Sequence, residues 1–130
     1  MKSISKMNQA ELAAFVVQHL SDSGLYFVLS GGAAVGIYSN GEYVSGDIDL
    51  VNARFASRDN IENSMNKIGF ILFGRHFEHP ETDHIVEFPP GPLQFGDGLV
   101  QSTNEMEFDT GTLRIISPTD CIKDRLAHYY

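Results

Sequence analysis

At 130 residues, with 42% hydrophobic and 20% charged positions, the chain has the size and composition of one domain over 1–130 that builds its own core, which excludes a disordered or low-complexity chain. Seventeen acidic against nine basic residues leave a net charge of −8 with histidine neutral, which argues against a general basic nucleic-acid binder. The single cysteine, Cys121, forbids an internal disulfide, the stretch MKSISKMNQAEL lacks the long apolar run of a signal peptide, and no apolar run approaches the roughly 20 residues of a membrane span, so a cytoplasmic setting without membrane contact is expected.

Asn8 to Asp22 reads as an amphipathic helix, with Leu12, Phe15, Val16, His19 and Leu20 at three- and four-residue spacing. Asn8 is placed to cap it, Glu11 stands three residues on, and Gly24 is a C-terminal stop. Tyr26-Phe27-Val28-Leu29 is a continuous apolar run that suits a strand covered on both faces. Ser30-Gly31-Gly32 breaks it, a short helix follows over Ala33 to Tyr38, and Asn40-Gly41 supplies turn chemistry. Asp47 to Val51 alternates acid with aliphatic and is predicted as a strand. Ser57 or Asp59 opens a further helix with an Ile61, Met65, Ile68 stripe, closed by Gly69.

Phe70 to Phe73 and His84 to Phe88 are strand candidates, and Pro89-Pro90-Gly91-Pro92 is loop or extended chain. Glu105 to Ile116 is predicted as a hairpin turning at Thr110-Gly111. Ser117-Pro118-Thr119-Asp120 opens a last helix carrying Cys121, Ile122, Leu126 and Tyr129. The chain stops while that helix is running, so a C-terminal extension or a partner docked there is expected. Alternating helix and strand patterns point to an α/β or α+β layer, a mixed sheet flanked by helices.

The chemistry gathers on three segments. Asp47 and Asp49, two apart on a strand, face the same side with Cα atoms about 6.5 to 7 Å apart, while Ile48 and Leu50 face the core. Adjacent carboxylates repel, and a divalent cation between them resolves the repulsion; two exposed acids at a strand end are the alternative. Upstream, Leu29-Ser30-Gly31-Gly32-Ala33 runs from strand through glycines into a helix. Glycine permits close backbone approach and a helix start offers free N–H groups, which suits a triphosphate. Downstream, Glu87 stands in the apolar strand His84-Ile85-Val86-Glu87-Phe88. If that strand lies beside Asp47–Val51, Glu87 joins the aspartates around one or two Mg²⁺ ions, with Glu78, Glu81 or Asp83 as substitutes.

A strand, a diglycine bend, a short helix, an Asp-x-Asp strand and a later single-acid strand together resemble the DNA polymerase β-like nucleotidyltransferase superfamily. Ser30-Gly31-Gly32-Ala33-Ala34 with Ser45-Gly46-Asp47-Ile48-Asp49-Leu50 is similar to the small prokaryotic members, including abortive-infection toxin nucleotidyltransferases. The resemblance covers about Leu25 to Leu126 and implies a minimal nucleotidyltransferase fold. It implies that Gly31 and Gly32, with Ser30 nearby, hold the nucleotide phosphates. Asp47, Asp49 and Glu87 would bind Mg²⁺ or Mn²⁺, Glu87 serving as third ligand or as base, and Lys123 would sit near the triphosphate or the acceptor. The implied activity moves a nucleoside monophosphate from a nucleoside triphosphate to a hydroxyl of RNA, protein or a small molecule. The alternative is a non-catalytic nucleotide- or protein-binding module, such as a toxin–antitoxin component with a cognate protein partner or a homo-oligomer.

The segment Arg75 to His84 is dense in donors, but His76, His79 and His84 lack zinc-site spacing, so a solvated turn between strands is expected, with some of these histidines able to line the nucleotide cleft. Arg75 and Arg114 are expected in surface ion pairs, with a phosphate contact as the alternative, and Cys121 on the apolar side of its helix.

Overall fold

The computed structural model describes residues 3–39, 47–52, 57–89, 94–95, 98–99 and 103–116. After a single 3₁₀ turn over Ile4–Lys6, α1 spans Gln9–Asp22. Its start follows the sequence directly: the Asn8 side chain accepts from the Glu11 N–H at 2.8 Å, and the Glu11 carboxylate accepts from the Asn8 N–H at 3.0 Å. Two of the otherwise orphaned N–H groups are thereby satisfied. Strand β1 spans Phe27–Ser30, α2 Gly31–Tyr38, β2 Asp47–Asn52 and α3 Arg58–Asn66, with the Ser57 hydroxyl capping α3 at the Asn60 N–H. Strands β3 (Ile71–Phe73), β4 (His76–His79) and β5 (Thr82–Glu87) follow, then two-residue strands β6 (Gln94–Phe95) and β7 (Gly98–Leu99), and a hairpin of β8 (Thr103–Phe108) and β9 (Gly111–Ile116).

Seven strands make one mixed sheet in the order β3-β4-β5-β2-β1-β9-β8, while β6 and β7 pair only with each other. At its centre, β2 runs antiparallel to β1 and parallel to β5, and β1 runs parallel to β9. The architecture among the described residues is therefore mixed α/β, three α-helices with a seven-stranded sheet. None of these helices is long and apolar enough to cross a membrane.

Most of the core lies on one face, while Val28 and Ile116, at alternate positions on the opposite face, are also wholly buried. Phe27, Leu29, Ile48, Leu50, Val86, Leu113 and Ile115 alternate along β1, β2, β5 and β9 and are wholly buried. Helix α1 covers this face with Leu12, Ala13, Val16 and Leu20. It is tied to the β8–β9 turn by the Thr110 hydroxyl donating to the Glu11 carbonyl at 2.6 Å, and by the Thr112 N–H donating to Gln18 Oε1 at 3.1 Å. His19 Nε2 meets the Ser64 carbonyl at 2.7 Å and joins α1 to α3. Tyr38, at the end of α2, donates its hydroxyl proton to the Ile116 carbonyl at 2.6 Å and anchors α2 to β9.

Two expectations are corrected. The segment from Arg75 to His84 is not a solvated turn: His76–His79 is strand β4, Thr82–His84 begins β5, and the turn shrinks to Pro80-Glu81. His79 is buried. Its Nδ1 accepts from the Glu81 N–H at 3.0 Å, so Nε2 carries the proton and donates to the Ile68 carbonyl at 3.0 Å, with the ring edge-on to Phe70. Arg114, assigned to surface ion pairing, instead lies over the Tyr26 ring at 5.4 Å, and its Nη1 is buried without a hydrogen-bond partner. The helix predicted from Ser117, with Cys121 and Lys123, and the Asn40-Gly41 turn lie outside the described residues.

Gly111 has φ +152°, and a Cβ there would meet Gln18 Cβ at 2.6 Å and the Ala14 carbonyl oxygen at 2.9 Å, whereas Gly74, at φ +65°, has open space around it. Gly111→Ala should therefore lower stability by about 2–4 kcal/mol, overpacking added to backbone strain, and Gly74→Ala by about 1–2 kcal/mol from strain alone. Urea denaturation of both variants checks this; equal losses would contradict the packing of α1 on β9.

Candidate functional site

The opposite face of the sheet carries the acids. In the register, Asp49 of β2 lies between Ser30 of β1 and Glu87 of β5, and Asp47 faces Ile85. Directly paired residues project to the same face in antiparallel and parallel ladders alike, so Ser30, Asp49 and Glu87 form one row across three adjacent strands. Strand spacing sets the steps of that row at about 4.8 Å, and Asp47 sits on the same face about 6.5–7 Å from Asp49. Alternation produces the split: Ile48 and Val86 are paired and wholly buried on the core face, while Asp47, Asp49 and Glu87 are half-buried. Phe88, next to Glu87, returns to the core face and stacks edge-on against Phe27 and Phe77. That contact holds the end of β5 against β1 and β4.

The diglycine lies against the same row. Helix α2 begins at Gly31 immediately after Ser30, and Gly31 has φ +68°. A Cβ on Gly31 would collide with Asp49 Oδ2. Glycine is required there twice, for a left-handed backbone and for the room that the Asp49 carboxylate occupies. Gly31, Gly32, Ala33 and Ala34 are all buried, so the first turn of α2 packs directly onto the acid strand without intervening side chains. Ser30 makes no side-chain cap to α2.

The predicted residues thus divide in three. Asp47, Asp49, Glu87, Ser30 and Gly31 are brought together, with Gly32 next in the helix, and Lys123 lies outside the described residues. The substitutes for the third acid are placed elsewhere: Asp83 is four residues back along β5, about 13 Å from Glu87, Glu81 is in the β4–β5 turn, and Glu78 is on β4 bonded to His76. A polar depression of about 400 Å³, between Ser5, Met7 and the segment from Pro80 to His84, sits at that far end of β5, away from the acid row.

Register adds His76 to the row, since it pairs directly with Glu87. Its Nε2 is 2.7 Å from Glu78 Oε2. The alternation His76, buried Phe77, exposed Glu78, buried His79 was the available signal, masked by a composition that reads as loop. Of the histidines in this segment, His76 is the one at the acids, and His79 is committed to backbone contacts.

A carboxylate set of two aspartates and a glutamate on one face is the hard-oxygen donor chemistry that Mg²⁺ or Mn²⁺ takes, and the close approach of Gly31 to Asp49 leaves backbone beside the acids where phosphate oxygens can be met. Among the described residues, no three His, Cys, Asp or Glu side chains are gathered tightly enough to hold a metal ion. The acids are neighbours in register without converging on one point. No family model, curated protein or solved structure matches the chain.

The Gly31–Asp49 contact yields a double-mutant cycle. Gly31→Ala should cost about 2–4 kcal/mol in the wild-type background and about 1–2 kcal/mol beside Asp49→Ala, where only backbone strain remains. The expected coupling is about 1–2 kcal/mol in urea denaturation. Strict additivity would mean that the carboxylate does not occupy the glycine's missing side-chain space.

Proposed function

We propose that this chain is a nucleotidyltransferase of the polymerase β-like kind, which binds a nucleoside triphosphate with Mg²⁺ or Mn²⁺ and transfers its nucleoside monophosphate to an acceptor hydroxyl. The single observation supporting this reading most strongly is the row of Ser30, Asp49 and Glu87, with Gly31 pressed against Asp49. The order of elements from the diglycine bend to the single-acid strand accords with it.

In this reading Asp47 and Asp49 hold the metal ions, and Glu87 either completes the ligand set or takes the proton of the attacking hydroxyl. Bound metal would supply charge neutralisation as the acceptor oxygen attacks the α-phosphorus in line and the bond to the leaving pyrophosphate breaks. Phosphates are drawn to the start of α2 at Gly31 and Gly32, beside the acids. Ser30, at the edge of the row, offers a hydroxyl to the same phosphates. His76, beside Glu87, steadies that carboxylate or hydrogen-bonds the acceptor. Most of the rate enhancement comes from positioning, because phosphoryl chemistry asks little covalent work of the protein. The setting is cytoplasmic, and the acceptor is RNA, a protein or a small molecule.

Apposed carboxylates also make the metal-free site repulsive, so occupancy by a cation relieves a cost that the fold already carries. The net charge of −8 accords with a substrate delivered as a metal–nucleotide complex rather than as free polyanion.

Transfer of label from α-labelled nucleoside triphosphates in the presence of Mg²⁺ tests the reading. Asp49→Asn should lower transfer at least about 100-fold while the circular dichroism and melting temperature stay near wild type. Glu87→Gln should do the same if Glu87 is third ligand or base, and wild-type turnover in that variant would remove Glu87 from the machinery. A chain that gains thermal stability with nucleotide yet transfers no label would be a binding module.

A further inference from the structure

Strand β3 is one edge of the seven-stranded sheet, and among the described residues nothing pairs with its outer side. Its three residues, Ile71, Leu72 and Phe73, are the large exposed hydrophobics among the described residues, at 55%, 39% and 53% exposure. Natural sheets protect their edges with charge, proline, bulges or cover. The other edge, β8, does so with exposed Glu105 and Glu107. Strand β3 has no such device. It is held in place by the two-residue Gly74-Arg75 connection to β4 and by three consecutive ladder pairs, Ile71 with Glu78, Leu72 with Phe77 and Phe73 with His76. The edge is therefore presented already ordered, and a strand added to it incurs little ordering cost on this side.

We infer that β3 pairs antiparallel with β3 of a second copy of this chain, joining two sheets across a two-fold axis at Leu72. The sequence of the strand is self-complementary in that arrangement. Leu72 meets Leu72 of the second copy on one face, and Ile71 meets Phe73 of the second copy twice on the other, so every cross-strand pair is apolar. A strand with one charged position would place two like charges or a charge and an apolar group opposite each other.

Area sets the strength of this dimer. Taking about 200 Å² for a fully exposed large apolar side chain, the three residues offer on the order of 300 Å² per copy, about 600 Å² for the pair. Stable interfaces bury about 1,200–2,000 Å², so the dimer is a reversible one that forms with rising concentration. Each copy also carries −8, and screening that repulsion with salt strengthens the association.

Sedimentation equilibrium of the full chain between about 1 μM and 1 mM reads the proposal. The expected result is a monomer–dimer equilibrium that shifts toward dimer when ionic strength is raised. Leu72→Lys, which puts two like charges on the axis at an exposed position, should leave the chain folded and monomeric throughout that range. Register is tested separately by Leu72→Cys in a Cys121→Ser background. Cα atoms of directly opposed strand residues lie about 4.5–5.5 Å apart, within disulfide range, so mild oxidation should link two copies efficiently. Thr103→Cys on the charged β8 edge should not cross-link. A wild-type chain that stays monomeric to 1 mM, a dimer that persists in Leu72→Lys, or equal cross-linking at positions 72 and 103 would each overturn the proposal.

Discussion

Strand β1 ends in a bend that requires the absence of a side chain. Gly31 leaves the sheet with a left-handed backbone, and the space its Cβ would fill is occupied by the Asp49 carboxylate. This contact sets the angle at which α2 departs, and so the position of a helix N-terminus relative to an acidic strand. It is also the point where the demands of folding and of chemistry meet. A larger residue would be more stable in almost any other strand-to-helix turn, since glycine is entropically costly to order. Here it brings backbone and carboxylate together on one face.

The two faces of the sheet differ, although Val28 and Ile116 are buried on the acid-bearing face as well. On one, a continuous set of Phe, Leu, Ile and Val side chains packs beneath α1 and provides the hydrophobic driving force for folding. On the other, three carboxylates stand within neighbouring strand positions. Like charges at such spacing oppose folding modestly, and nothing about the core requires them. A side-chain pattern that folding alone would not select is what the proposed metal–nucleotide site would account for. The seam proposed at β3 is separated from Glu87 by β4, so association there leaves the acid row open.

Much of this was legible because it is local. The reciprocal Asn8 and Glu11 cap needs only four residues, and both partners are within them. The alternation Asp47-Ile48-Asp49-Leu50 already assigns acids and aliphatics to opposite faces, and Val86-Glu87-Phe88 does the same. Whether β5 lies beside β2 is not local. It depends on a parallel pairing across α3 and the β3–β4 hairpin, and no periodicity encodes it. Strand β4 is masked because its two His and one Glu, followed by Pro80, give the segment the composition of a loop. Burial of His79 rests on the Glu81 N–H and the Ile68 carbonyl, contacts that its type does not announce. The run Phe70 to Phe73 shows the converse failure: its hydrophobicity signals burial, yet Phe70 alone is buried and the next three residues are exposed. Strand order decides which apolar runs become interior and which become edge.

The most direct measurement is a crystal structure of the full chain with Mn²⁺ and a nonhydrolysable nucleoside triphosphate, using the anomalous signal of the metal. The account predicts density about 2.1 Å from carboxylate oxygens of Asp47 and Asp49, with Glu87 closing in from β5 and the phosphates lying along Gly31 and Gly32. Metal and nucleotide bound at another surface, with the acid row bare, would contradict it.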